Sequence, residues 1–358
     1  MVGRLARAAL RLHDRSRFEV FVYSYGPDDG SGYRSEIAAA ADRFVDVREE
    51  APHTTAQRIA KDGVDILVDL SGYTSDHRLA VLAQRPAPLQ VHYLGYPATL
   101  GAGLADYYVT DRVASPAGQD EQFAEQLVRM PDCFMLSDPD QPMVVDPPPR
   151  SRLGLPPDAV VLCAFHQTAK IGRGVMDAWC EILRAVPTSV LWLKSIAGEA
   201  PARLVAAARE RGVAPQRLLF APDVADEREH AARMVAADLL LDTFGRYNGH
   251  ATVNEALWAG VPVITIAGQT FAARVAASLL AAAGLGELAL RTESEYVASA
   301  IRLALAPQER AALRRRLLAA RGTAPLFDNA ATVLALERAY ETMWSIHAAG
   351  KAPRGIAL

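Results

Sequence analysis

The stretch from Leu239 to Ser278, LLLDTFGRYNGHATVNEALWAGVPVITIAGQTFAARVAAS, limits the possible folds more than any other part of the chain. It opens on an apolar run (Leu239–Leu241) and passes through a polar loop (Asp242–Asn248). It then reads as a helix starting near Gly249–His250 and returns to a second apolar run at Val261–Ile266. Both runs are short, continuously apolar and partly β-branched, the pattern of strands covered on both faces. Between them Ala256, Leu257 and Gly260 follow helical spacing, with Gly260 where a helix should stop. The first N–H groups of a helix lack intrahelical partners and its dipole favours negative charge, so Gly-His-Ala-Thr at 249–252 predicts an anion cradle. Thr252 offers a hydroxyl, His250 a donor, and Glu255, one turn further on, suits a ribose diol. The dipole contributes only about 0.3–1 kcal/mol per charge at an exposed position. A diphosphate therefore calls for a cation as well.

The rest of the chain repeats the same alternation. Helical spacing near Gly3–His13, with Leu5, Ala8, Leu10 and Leu12 as its packed face, leads to FEVFVYSYG (Phe18–Gly26). FVDV (Phe44–Val47), DILVDLSGY (Asp65–Tyr73), LQVHYLGYP (Leu89–Pro97) and DYYVTD (Asp106–Asp111) follow as strands. Residues 136–157 are dense in proline and read as a linker. Strand-like runs resume at Val160–Phe165, Ser189–Lys194 and Arg217–Pro222. Repeated βα units imply parallel sheets covered by helices. The division is a first α/β domain over 1–135, the linker at 136–157, and a second α/β domain over 158–325. A long amphipathic helix over 326–350 is expected to cross the domain junction.

Composition excludes several classes. The 358 residues are 51% apolar and 22% charged with a net charge of −3, so a basic nucleic-acid footprint is absent. No apolar run reaches bilayer length, and arginines run through the apolar face of the N-terminus, against a signal peptide. The three cysteines are too scattered for a disulfide frame or zinc site, which fits a reducing, cytoplasmic setting. The Arg314–Arg316 run reads as a solvated helix face. No His/Cys/carboxylate cluster has metal spacing, and Asp138-Pro139-Asp140 sits in the proline linker rather than at a strand end.

In open α/β sheets ligands bind beyond the carboxyl ends of the strands. That rule selects Gly72–Thr74, Leu94–Pro97, His166–Lys170, Pro222–Asp226 and Asn248–His250. Lys170 follows the first strand of the second half and supplies the missing cation, with Gln167 beside it. His92, inside a strand, reads as a satisfied core histidine, and His166 as a packing one.

ILVDLSGYT, the pair RPAP and LGYP (Arg85–Pro88, Leu94–Pro97), DYYVTD with Ser115-Pro116, and the long 239–278 stretch resemble the catalytic region of protein O-GlcNAc transferases. The resemblance runs from about Phe18 to Ala349. It implies a GT-B fold of two Rossmann-like domains whose parallel sheets face a cleft. It also implies inverting transfer of N-acetylglucosamine from UDP-GlcNAc to Ser or Thr of a protein or peptide, with no metal and no cofactor. Residue by residue, Lys170 matches the lysine that stabilises the departing diphosphate, with Gln167 its neighbour. Asn248, Gly249, His250, Ala251 and Thr252 match the helix start that holds the phosphates, His250 taken with Lys170 as catalytic. His230 matches a nucleotide-contacting histidine and Glu255 the ribose-binding acid. Leu94, Gly95, Tyr96 and Pro97, with Tyr247, fall on the sugar and acceptor side. Measured against the family pattern, tetratricopeptide repeats and an opening strand would lie upstream of Gly3, leaving the first sheet one strand short. The lysine of the family ahead of the His230 position has no counterpart in Asp223–Glu229. A fucosyl or glucosyl donor is the rival within the family. An inactive nucleotide-binding or interaction module is the rival from another class.

Overall fold

The computed structural model describes residues 2–138, 140–144, 146–195, 198–224 and 226–358. Pro139 and Val145 of the linker stretch, and Ala225 of the loop at 222–226, lie outside the described residues. The chain forms two compact units, one of Met1–Pro139 with Pro325–Leu358 and the other of Asp140–Ala324.

In the first unit β1 (Phe21–Ser24) and β2 (Arg43–Asp46) form a parallel pair. The strands β3 (Ile66–Asp69), β4 (Leu89–His92), β5 (Tyr107–Asp111) and β6 (Gln126–Met130) form a parallel sheet in sequence order. No ladder among the described residues joins the β1–β2 pair to that sheet. Both β1 and β3 are only half-buried along their length, whereas β4 and β5 are buried throughout.

The proline stretch is not free of either unit. Leu136, Ser137 and Asp138 are buried in the first unit. There Asp138 takes a 2.7 Å ion pair from the buried Arg7, and the Ser137 amide donates to Asn329 at 3.0 Å. Arg150, on the far side of the boundary, donates to the Ala236 carbonyl and to Asp238 in the second unit. The long C-terminal helix is Asn329–Ala348, counted with the first unit, where its Glu337 holds His13 at 3.0 Å. In the first helix, Val2–Leu12, Leu5 and Ala8 are buried as the spacing predicts, but Leu12 is exposed and Arg7 is buried instead. The ion pair with Asp138 is what makes that arginine burial tolerable. Arg314 likewise leaves the solvated face, donating to the Val235 carbonyl from a half-buried position.

The second unit holds β7 (Val160–Ala164), β8 (Ser189–Lys194), β9 (Leu218–Ala221), β10 (Leu239–Leu241), β11 (Val263–Ile266) and β12 (Ala289–Leu290), all parallel. Their spatial order is β9-β8-β7-β10-β11-β12. Counting from β7, this is the 3-2-1-4-5-6 order of the doubly wound nucleotide-binding fold, which reverses between β7 and β10. Those two strands pair with Leu239 opposite Leu162 and Leu240 opposite Cys163. Leu162, Cys163, Leu239, Leu240 and Leu241 have no exposed surface, as their continuous apolar runs require. A last strand, β13 (Ile356–Ala357), closes the first unit's sheet beside β6. Neither β6 nor β13 is announced by an apolar run.

The helix Ala251–Trp258 ends in the paired bonds that a left-handed glycine allows: Val261 N–H to the Ala256 carbonyl at 2.8 Å, and Gly260 N–H to Leu257 at 3.1 Å. Gly260 has φ +76°, so the glycine is required there by conformation. Among the described residues no helix is long and apolar enough to cross a membrane. Leu162→Ala, which empties a fully buried position on the central strand, is expected to cost about 2–5 kcal/mol. The check is a lowered urea midpoint at unchanged slope.

Candidate active site

The strand ends on either side of the reversal carry the chemistry of the second unit. After β7 the chain runs through His166 and Gln167 into a short turn, Thr168–Lys170. After β10 it runs from Asp242 to His250 and enters the helix Ala251–Trp258, whose N-cap residue His250 makes no side-chain cap bond. The Lys170 ammonium donates to the Asn248 carbonyl at 2.9 Å and stands 4.0 Å from the centre of the Tyr247 ring. Lysine and helix tip, predicted separately, thus meet at one loop.

Asp242 holds that loop together. Its carboxylate has no exposed surface. Oδ1 accepts the Gly249 N–H at 2.6 Å and the Thr243 N–H at 2.8 Å, and Oδ2 accepts the Thr265 hydroxyl at 2.6 Å. The Asp242 carbonyl accepts the Tyr296 hydroxyl at 2.8 Å, and Trp179 donates to that hydroxyl in turn at 3.1 Å. Asn248 is pinned alongside, donating to Thr265 at 2.9 Å and to the Ile266 carbonyl at 3.1 Å. Its side-chain oxygen is buried without a partner among the described residues.

Burial sets the charges. It pushes Asp242 up to about 7 against three hydrogen bonds and the field of Lys170, and it pulls Lys170 down to about 8 against the field of Asp242. His166 and His250 are both pulled down to about 3, first by burial and then by the Lys170 charge, so both rings are neutral. His166 Nε2 stands 3.4 Å from Asp242 Oδ1 without forming a hydrogen bond. His250 stacks on Tyr247 at 4.8 Å, and its Nε2–H donates to the Ala272 carbonyl at 3.1 Å. That donor, read from the sequence as free for a ligand, is occupied.

A second cluster joins two residues predicted for the nucleoside. Arg233 donates to His230 Nδ1 from Nε at 3.0 Å and from Nη2 at 2.7 Å. Nδ1 is therefore the acceptor, and Nε2–H faces Glu255 Oε2 at 3.3 Å. The Arg233 guanidinium also lies over Phe165 at 5.0 Å. Gln167 is exposed, while Ala251 and Thr252 are half-buried on the first turn of the helix. Sequence reasoning passed over Asp242, Thr265 and Arg233. The one available signal was an acid placed directly after a continuously apolar strand.

In the first unit Leu94–Pro97 is an unusual loop. Leu94 has φ +77°, and Gly95 N–H bonds back to the Tyr93 carbonyl at 3.0 Å, forming the rare left-handed γ-turn. For a leucine this conformation costs on the order of 1–3 kcal/mol. A side chain at Gly95 would sit 2.0 Å from the Leu70 carbonyl, so only glycine fits. The Tyr96 carbonyl accepts from His92 Nε2 at 2.8 Å, and His92 Nδ1 faces Asp69 at 3.1 Å. Tyr73 meets the Tyr96 ring edge-on at 5.4 Å. His92 is a satisfied core histidine, and it braces this loop. Among the described residues no group of His, Cys, Asp and Glu is arranged to hold a metal ion.

Two parallel α/β units, the second doubly wound with a lysine and a helix tip at its reversal point, make up a fold of the GT-B type. The model of glycosyl transferase family 41 matches residues 3–146 and 140–336, and the chain belongs to that family. It is 40% identical over 361 residues to a probable UDP-N-acetylglucosamine–peptide N-acetylglucosaminyltransferase, SEC, of Arabidopsis thaliana, covering 99% of this chain and 36% of that one. A UDP-N-acetylglucosamine–peptide N-acetylglucosaminyltransferase of Caenorhabditis elegans is 30% identical, with 95% and 39% covered. The chain thus spans little more than a third of these relatives. A solved O-GlcNAc transferase mutant of Thermobaculum terrenum superposes with a TM-score of 0.88 at 34% identity, covering 96% of this chain and 65% of that one. Anabaena HepE in complex with UDP and glucose, at TM-score 0.61 and 16% identity, shares the fold.

Gly249→Ala would place a methyl group 2.7 Å from His166 Cε1 and Val253 Cγ2 and 2.8 Å from Asp242 Oδ1. All three neighbours are buried, so overpacking of about 1–3 kcal/mol is expected. A lowered melting temperature is the check.

Proposed function

We propose that this chain catalyses inverting transfer of N-acetylglucosamine from UDP-GlcNAc to Ser or Thr hydroxyls of a protein or peptide acceptor. The observation that carries the reading is the 2.9 Å bond from Lys170 to the carbonyl of Asn248, two residues ahead of an uncapped helix tip at the reversal of a doubly wound sheet. A diphosphate leaving group at that tip meets the free amides of Ala251 and Thr252, the Thr252 hydroxyl and the Lys170 ammonium. These groups are fixed before the reaction, so they stabilise charge as it develops on the departing UDP. Glu255 and His230, linked to each other, are suited to the nucleoside. Tyr247, beside the Lys170 ammonium, is assigned to the sugar. The relatives named for peptide N-acetylglucosaminyl transfer support the choice of donor and acceptor over a fucosyl or glucosyl donor.

In this reading the counter-charge comes from lysine and amides, with no metal or cofactor, and a chelator leaves turnover unchanged. The three cysteines are buried and scattered along the chain, which supports a cytoplasmic setting. Neither nucleic acid nor membrane enters as a partner.

Lys170→Ala is expected to abolish measurable UDP binding and to lower kcat by about 10²–10³. Because the ammonium is charged below about 8, activity should fall as pH rises through that value. UDP affinity and turnover equal to the unaltered protein would remove Lys170 from its role. UDP binding without any transfer or UDP-GlcNAc hydrolysis would favour an inactive nucleotide-binding module.

A further inference from the structure

We propose that Asp242 is a positioning residue for this site: its ionised carboxylate fixes the Gly249 amide that opens the cradle helix and keeps the neighbouring Lys170 ammonium charged. The inference rests on the functional reading of Lys170 and the helix tip given above. Asp242 lies at the carboxyl end of β10, on one side of the sheet reversal, and Lys170 follows β7 on the other. The carboxylate is enclosed on every side by named groups. Gly249 and Thr243 amides donate to one oxygen and the Thr265 hydroxyl to the other, and His166 stands beside the first.

The titratable groups around Asp242 are Lys170 and His166 from the β7 loop and Tyr296 from the helix Glu293–Leu305, with His250 at the helix tip in the field of Lys170 and His166. Both histidines are neutral, and Tyr296, whose proton burial holds, donates to the Asp242 backbone. Lys170 and Asp242 are thus the two members of the cluster that change charge near neutrality, one about 8 and the other about 7. Each favours the charged form of the other.

The geometry makes the carboxylate's state matter for the ligand. Gly249 is two residues ahead of the first helical residue, Ala251. The 2.6 Å bond from its amide to Asp242 sets the turn from which the free amides point. Protonation of Asp242 weakens that bond and removes the negative charge that holds the Lys170 proton in a buried setting. Low pH therefore loosens the cradle. High pH discharges the lysine. The apparent second-order rate constant should be bell-shaped, with an acid limb near about 7 belonging to Asp242.

The test compares the intact chain with Asp242→Asn, Thr265→Val, Thr265→Ser and Lys170→Ala, reading UDP affinity and kcat/KM for UDP-GlcNAc across the neutral range. In Asp242→Asn the acid limb should vanish, and the basic limb should move down by about one pH unit as Lys170 loses its counter-charge. Thr265→Val removes a donor that favours the ionised carboxylate, so its acid limb should move to higher pH. Thr265→Ser, which keeps the hydroxyl, should restore the original profile. A purely structural role would lower amplitude without moving either limb. Should Asp242→Asn fail to fold, the Thr265 pair carries the same comparison. An acid limb unchanged in Asp242→Asn, or in Thr265→Val where only that variant folds, overturns the inference while leaving the role of Lys170 intact. Undiminished UDP binding and turnover in Lys170→Ala overturns the functional reading itself and the inference with it.

Discussion

A carboxylate with no exposed surface sits where the second unit's sheet reverses, and the loop that becomes the cradle takes its shape from it. Burying an ionised group costs several kcal/mol even after relaxation. Hydrogen bonds to a charged acceptor return about 1.5–3 kcal/mol each, and Asp242 has three of them. Burial outweighs them and raises Asp242 to about 7, and the hydrogen bonds with the field of Lys170 hold it from going higher. A leucine at this position would pack without that cost. It would leave the Gly249 and Thr243 amides buried with no acceptor and Lys170 without its negative neighbour. The carboxylate is explained by what it orients.

The two units fix their loops by different means. In the second, side chains do the fixing: Asp242 and Asn248 bond to backbone, Thr265 bridges those two side chains, and Trp179 reaches the same strand end through Tyr296. In the first, the backbone itself is strained. Leu94 holds a left-handed conformation, Gly95 presses on the Leu70 carbonyl, and His92 ties the Tyr96 carbonyl back to Asp69 at the end of β3. Strain of this kind persists only where the surroundings over-determine it. Here the surroundings are a buried histidine whose two nitrogens both point at oxygen acceptors belonging to different segments.

Much of the second unit was legible because its signals are local. Leu239–Leu241 is a strand to the residue, since three consecutive leucines leave no polar face. Gly260 ends its helix as placed, since only glycine takes that conformation freely. Lys170 is singled out by a topological rule, that ligands sit beyond strand ends, and its ammonium lies against the Asn248 carbonyl ahead of the helix. What escaped depends on contacts far apart in the chain. β13 exists because Ile356 pairs with Val128, and nothing within two residues of sequence announces that. Asp138 reads as linker because it lies in the proline stretch, and nothing local marks Arg7 as its partner, yet the two bury each other across 131 positions. Asp242 read as the first residue of a polar loop because its three donors come from Thr243, Gly249 and Thr265, of which only the first is adjacent.

The distribution of charge follows from the same enclosure. Four ionisable side chains, His166, Lys170, Asp242 and His250, crowd one strand end, and a diphosphate would gain from positive charge on any of three of them. Burial discharges the two imidazoles well below neutrality and leaves the lysine, whose intrinsic proton affinity starts several units higher, as the one group of the cluster able to stay cationic. One ammonium and one buried carboxylate in its field nearly cancel in net charge when both are ionised. On the proposed reading, affinity then depends on directed N–H groups more than on bulk attraction, and a phosphate must reach the helix tip itself to be held. Such an arrangement would select for an anion that fits the cradle and give little to one that merely approaches.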